Sequence, residues 1–301
     1  MRNEFSKTIA TIGKEKSNLI FLTGDLGFMA LENIRQAMGN RFVNVGVSEQ
    51  NMISMAAAMA HENLQVICYS IAPFVTFRPT EQIRLDVCLH KKNVKIVGNG
   101  GGYGYGIMGS THHALEDLAV LSCFQNMHCY IPLCNEDVES IVIHMLDHDE
   151  PAYLRLGFGT LPKEFNLPDF KPVRKVKNGK DITIVGMGPV LNNIAKSLSE
   201  PDLADIFVVS ELPLKNLSEE LIESLILTKK LLVIEEHVER GGLGEHLTLR
   251  LASLGLSYKF EHRFAIGYPN GLYGSQSYHQ AQCGLDAMSL SETFRNLVYG
   301  K

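Results

Sequence analysis

The chain has 301 residues, of which 45% are hydrophobic and 20% charged, with a formal net charge of −5. That suits two ordinary domains and excludes a disordered chain, while the mild acidity excludes the basic footprint of a nucleic-acid binder. No apolar run approaches the roughly 18 residues of a membrane-spanning helix, and Met1 to Lys7 lacks the apolar core of an export signal, so a soluble cytoplasmic protein is expected. Its 6 cysteines then read as reduced thiols rather than a disulfide framework.

Strand and helix signals alternate along the chain. Asn3 to Lys14 has helical apolar spacing at Phe5, Ile9 and Ile12, and Leu19 to Leu22 is a short apolar run ending at Thr-Gly-Asp, a buried strand. Arg41 to Val47 reads as strand, and the Met- and Ala-rich stretch Gln50 to Ala60 as a tightly packed helix. Leu64 to Tyr69 and Val94 to Val97 read as strands around a helix from Thr80 to Leu89. A helix over Ala114 to Ser122, strands over Met127 to Ile131 and Ala152 to Leu156, and a helix N-cap at Asn135 complete this half. Residues 161–180 are rich in Pro, Gly and Lys and read as a linker. Beyond it, strands are expected over Asp181 to Val185, Ile206 to Val209, Leu231 to Ile234 and Tyr258 to Glu261. Helices are expected near 190–199, 218–227, 243–253 and 291–298. This alternation predicts an α/β protein of two domains, each a mostly parallel sheet flanked by helices, with ligands beyond the C-terminal strand ends.

Several segments can carry chemistry. Glycine stands at 98, 100, 101, 102, 104, 106 and 109, and the run leads to Thr111-His112-His113 before a helix. Either it lets backbone approach a ligand, or it is a mobile surface loop. Its formal match to a dinucleotide fingerprint, Gly104 to Gly109, opens no helix after a strand and has no acidic ribose partner downstream. In Gly46-Val-Ser-Glu49-Gln-Asn-Met52 a carboxylate follows a strand and starts an apolar helix. There it serves either as a partly buried proton donor or as a first-turn residue favoured by the helix dipole. His144-x-x-x-His148 lacks the glutamate of a zinc protease and sits among acids, which favours a solvated helix end. Glu235-Glu236-His237 with Gly241-Gly242-Leu-Gly244 is a strand-to-helix connection to which spacing assigns no chemistry.

In chain order, six segments resemble the C-terminal section of transketolases and related thiamine-diphosphate enzymes. They are Leu22-Thr-Gly-Asp25-Leu, Gly46 to Met52, Tyr69 to Arg84, Thr111 to Ala119, Pro151 to Leu156, and Glu235 to Gly244. The resemblance covers nearly the whole chain and implies a pyrimidine-binding domain over 1–160 and a transketolase C-terminal-like domain over 181–301. It implies that Glu49 hydrogen-bonds the cofactor pyrimidine, that Phe74 or Phe77 stacks on it, and that Asp25 lies near it across a subunit interface. It also implies that His112 handles protons on the substrate, with His113, Arg2 and Arg155 as further substrate residues. The family's diphosphate- and metal-binding motif is not found in this sequence. The chain is therefore expected to be one subunit of a split enzyme, with the diphosphate and magnesium held mainly by a partner in an α2β2 assembly. No metal ligand is expected here. Met108 stands where transketolases place an aspartate, and Gly157-Phe158 where many place a phosphate-gripping arginine. A reaction other than the standard pentose-phosphate one is thus expected, for instance a two-carbon or acyl transfer onto an unusual sugar or keto acid. A β subunit of a 2-oxo-acid decarboxylating enzyme and a non-catalytic binding module are the alternatives.

Overall fold

The short apolar runs of the first half pair in register. The computed structural model describes residues 1–27, 29–195 and 203–300. Strands β1 (Leu19–Thr23), β2 (Phe42–Asn44), β3 (Gln65–Ile71), β4 (Val94–Asn99), β5 (His128–Tyr130) and β6 (Ala152–Leu156) run parallel in the order β5-β6-β4-β3-β1-β2. Helices cover both faces, so the central strands are apolar without alternation. These helices are α1 (Arg2–Glu15), α2 (Glu32–Met38), α3 (Glu49–His61), α4 (Ala72–Phe77), α5 (Thr80–Gln82), α6 (Asp117–Ser122) and α7 (Val138–Leu146). The segment read as one helix from Thr80 to Leu89 is α5 followed by a π-helical turn over Ile83–Leu89. In α3 the buried face is Met52, Ile53, Ala56, Ala57 and Ala60, the spacing of one helical stripe.

The second half builds its own sheet from β7 (Val173–Lys177), β8 (Ile182–Met187), β9 (Ala204–Val209), β11 (Lys230–Glu235) and β12 (Lys259–Arg263), in the order β12-β11-β8-β9-β7. Between β9 and β11, the short β10 (Glu211–Leu212) crosses back to pair antiparallel with β5, lengthening the first sheet. Helices α8 (Asn192–Ala195), α9 (Glu219–Thr228), α10 (Leu243–Ala252), α11 (Gln276–Gln282) and α12 (Ala287–Tyr299) complete this half. Part of the helix expected near 190–199 lies outside the described residues.

Two expectations change. The stretch read as linker contains β7, which runs antiparallel to β9 with a bulge between Lys175 and Lys177. Its basic residues hide an edge strand, because Val173, Arg174 and Val176 are buried while Lys175 and Lys177 are only partly covered. Asn135 caps no helix; its side-chain oxygen accepts a hydrogen bond from the N-terminal ammonium of Met1, and α7 starts three residues later. Among the described residues, no helix is long and apolar enough to cross a membrane.

Candidate active site

Parallel packing sends the C-terminal ends of β1 to β4 to one edge, and the loops leaving them carry the chemistry-bearing side chains. β2 ends at Asn44 and the chain turns through Gly46 into Glu49, the first residue of α3. Glu49 is buried, 4% exposed, and lines an open cavity of about 630 Å3 with Val47, Ser48, Gln50, Asn51 and Arg78. β3 passes directly into α4, whose first residues include Pro73, and this places Phe74 beside the same edge. β4 leads through the glycine run to His112.

Four side chains meet there. Nη1 of Arg78 donates to both carboxylate oxygens of Glu49 at 2.9 Å. The Arg78 guanidinium carbon lies 4.0 Å from the Phe74 ring centroid, within cation–π range. On the other side, the Phe74 and His112 rings meet edge to face at 5.0 Å. Nδ1 of His112 shares a 3.0 Å hydrogen bond with the Thr111 hydroxyl, and Nε2 has no hydrogen-bond partner among the described residues. A buried carboxylate, a flat apolar face and an imidazole therefore stand in a row, an arrangement able to hold a flat nitrogenous ring and move a proton beside it. Phe77 lies at the end of α4, 36% exposed.

The other expected residues lie elsewhere. Asp25 has a left-handed backbone, φ 54°, held by reciprocal 2.9 Å hydrogen bonds with the Asn44 side chain. It lines a separate cavity of about 320 Å3 with Thr23, Arg35 and Phe42. Arg2 opens α1; burial raises the pKa of the nearby Tyr69 hydroxyl, and the Arg2 charge works against that rise.

His113 and Arg155, expected as substrate residues, turn inward. His113 is 3% exposed; Nδ1 meets the Tyr268 hydroxyl at 2.8 Å and Nε2 donates to the Gly106 carbonyl at 3.1 Å. Burial holds its pKa below the usual histidine range. Arg155 is ion-paired to buried Asp117 at 3.0 Å and donates to the carbonyls of Ala114 and Glu236. Both therefore brace the two domains.

The glycine run is largely buried rather than a mobile surface loop. At Gly102, with φ +64°, a Cβ would lie 2.2 Å from Glu236 Oε1, and at Gly106 one would strike the backbone of 274–276 at 2.6 Å. The backbone thus threads tightly between the domains. Glu236 accepts from the Tyr103 N–H at 2.6 Å and from Gln276 and Gln280, and its burial raises its pKa. Glu235 accepts from the Leu243 and Gly244 amides at 2.7 and 2.8 Å, so it caps the start of α10. His144 is half-buried, its ring 4.6 Å from that of Phe170, so only His148 is at a solvated end. Among the described residues no group of His, Cys, Asp and Glu is arranged to hold a metal ion.

The transketolase pyrimidine binding domain family matches residues 1–163, which takes in the whole row of site residues. The chain belongs to the transketolase family. The transketolase C-terminal domain family matches residues 172–270. One subunit of the apulose-4-phosphate transketolase of Phocaeicola vulgatus is 28% identical to this transketolase-family chain, over 99% of it and 97% of the relative. A putative transketolase C-terminal section from Methanocaldococcus jannaschii is 29% identical over 97% of this chain and 94% of its own length. A solved split-gene transketolase, an inactive β4 tetramer, superposes with a TM-score of 0.83 at 27% identity, covering 99% of this chain and 97% of that one.

Sequence reasoning did not single out Arg78 or Asn44 as functional. Arg78 follows Phe74 by four positions, the helical spacing that brings two side chains together, and that was its available signal. Asn44 carries none, because its role depends on β1 and β2 lying side by side.

Proposed function

We propose that this chain is the pyrimidine-binding subunit of a split transketolase-like enzyme, its active site shared with a partner chain. The observation that carries this reading is the row formed by Glu49, Phe74 and His112 at the C-terminal strand ends. The residues fit an aminopyrimidine: the Arg78 guanidinium, itself a flat, donor-bearing group, pairs with Glu49 while lying over Phe74. When bound, thiamine diphosphate supplies the carbanion-stabilising centre for two-carbon ketol transfer or a related acyl or aldehyde transfer. Glu49 holds a proton at the pyrimidine nitrogen, Phe74 orients the ring, and His112 Nε2 moves a proton at a substrate oxygen.

The partner carries the diphosphate and magnesium and approaches the site's rim. Val47, Ile107 and Met108, each within five residues of Glu49 or His112, are 71%, 77% and 55% exposed, an apolar rim that a partner would cover. Asp25 faces the cofactor across that interface in an α2β2 assembly. The Phocaeicola relative, named as a single subunit of its transketolase and matched along nearly its full length, supports a separate partner. The substrate is a small sugar or keto acid. Met108 in place of an acid favours a second reading, a 2-oxo-acid decarboxylating subunit, which would release carbon dioxide from its donor.

The test is the complex co-purified with its partner and assayed with thiamine diphosphate. Glu49→Gln is expected to lower turnover roughly 100-fold or more, the scale of a lost proton-transfer group, without moving the melting temperature far. Unchanged turnover would sink the proposed role.

A further inference from the structure

Arg78 has no role in the proposed chemistry, yet it covers both groups that an aminopyrimidine needs. Its Nη1 bonds both Glu49 oxygens at 2.9 Å, and its guanidinium carbon lies 4.0 Å from the Phe74 centroid. We infer that Arg78 is an internal stand-in for the cofactor ring, filling the slot between Glu49 and Phe74 in the free chain and swinging out when the ring enters. The inference rests on the proposed function, since it takes that slot as the pyrimidine site.

Three observations support an exchange rather than a permanent ion pair. First, the chemistry matches. A guanidinium and an aminopyrimidine are both planar, both carry N–H donors, and both offer a π-face to an aromatic ring. Second, exposure is asymmetric: the Glu49 side chain is 3% exposed and that of Arg78 44%. A buried carboxylate needs a partner at all times, whereas the arginine can turn into the open cavity that it lines. Third, one nitrogen alone serves both oxygens. This forgoes the two parallel bonds of the strong fork-to-fork arrangement, so the pair is easier to exchange.

The exchange keeps Glu49 paired and Phe74 covered in both states, so the slot is preformed before the partner arrives. It also sets a threshold. A slot filled by Arg78 for nine parts in ten of the time weakens the apparent affinity for the ring about tenfold.

The experiment titrates 4-amino-2-methylpyrimidine, a fragment without diphosphate, into the full free chain and follows binding by NMR. Arg78→Gln is expected to bind the fragment about tenfold more tightly than the wild type. Adding Glu49→Gln to that variant is expected to abolish the gain. Arg78→Lys serves if the glutamine variant does not fold: its ammonium pairs with Glu49 without covering Phe74, so it too should bind more tightly than the wild type. Equal, Glu49-dependent affinity in the wild type and the Arg78 variants overturns the stand-in role and leaves the cofactor reading intact. No Glu49-dependent binding in any of them overturns both.

Discussion

Two adjacent histidines show how much one position matters. His112 stands at the end of a 3-10 turn over Ser110–His112 and faces Phe74, whereas His113, one residue on, faces Tyr103, Tyr268 and His279. The sequence reading placed both at the substrate, since nothing in Thr-His-His reveals which ring the turn sends outward. The consequence is testable with one substitution at each site. In the reconstituted complex, His112→Asn is expected to reduce kcat about 100-fold with little change in stability. His113→Asn is expected to lower the melting temperature instead, because it breaks a buried hydrogen-bonded pair. The opposite pattern in paired kinetic and thermal measurements would reassign the two rings. At Glu49 the local pattern, a carboxylate between a strand and an apolar helix, left a proton donor and a dipole-favoured first-turn residue both open, and only the family resemblance assigned it a role.

At the scale of elements, β4 carries a lysine inside the sheet. Lys95 is fully buried, and its ammonium donates to the carbonyls of His148 and Glu150 at 2.6 and 2.5 Å, just past the end of α7. This ties the helix end to the strand that leads to the glycine run. Burial pulls the ammonium down to about 7. Between that value and the ordinary lysine range, the unfolded chain holds a proton that the folded chain has released. The group therefore makes the fold more stable as pH rises above about 7, by up to ~1 kcal/mol per pH unit. Lys95→Met is expected to remove that part of the slope, as read by urea unfolding at several pH values between 7 and 9. Identical slopes in the variant and the wild type would show that Lys95 stays charged in the fold. In sequence, Val-Lys-Ile-Val resembles an ordinary strand with one solvent-facing residue. Only the layer of helix above the sheet makes that lysine interior.

At the scale of the whole molecule, the two halves are joined by buried charge as well as by apolar packing. Nη1 and Nη2 of Arg174, on β7, donate to the two carboxylate oxygens of Asp137 at 2.8 and 2.7 Å, and Nη2 also donates to the Ser210 hydroxyl at 2.8 Å. Both side chains are at most 1% exposed. Removing one partner leaves an uncompensated buried charge, so Asp137→Ala is expected to destabilise the chain by ~3–5 kcal/mol in urea unfolding. A loss below about 1 kcal/mol would mean that water or another group replaces the carboxylate. The Arg155 bond to the Glu236 carbonyl and the Glu236 bond from the Tyr103 amide add further contacts between the halves. The short β10 carries the sheet of one half into the chain of the other.

Local pattern determined a good deal by itself: the alternation of strands and helices, the α/β class and a packed helix over Gln50 to Ala60 follow from spacing and residue type, while the order of the motif segments became legible through the family resemblance. Tertiary structure decided the rest. It made β7 an edge strand where composition reads as linker, because Val173, Arg174 and Val176 are buried and only Lys175 and Lys177 reach the surface. It turned Arg155 and His113 inward, and it explained the glycine run as backbone squeezed between two domains. It brought Arg78 between Glu49 and Phe74, which lie 25 positions apart in the chain. Such contacts depend on strands that neighbour one another in space but not in sequence, and their loops converge only when the parallel sheet is complete.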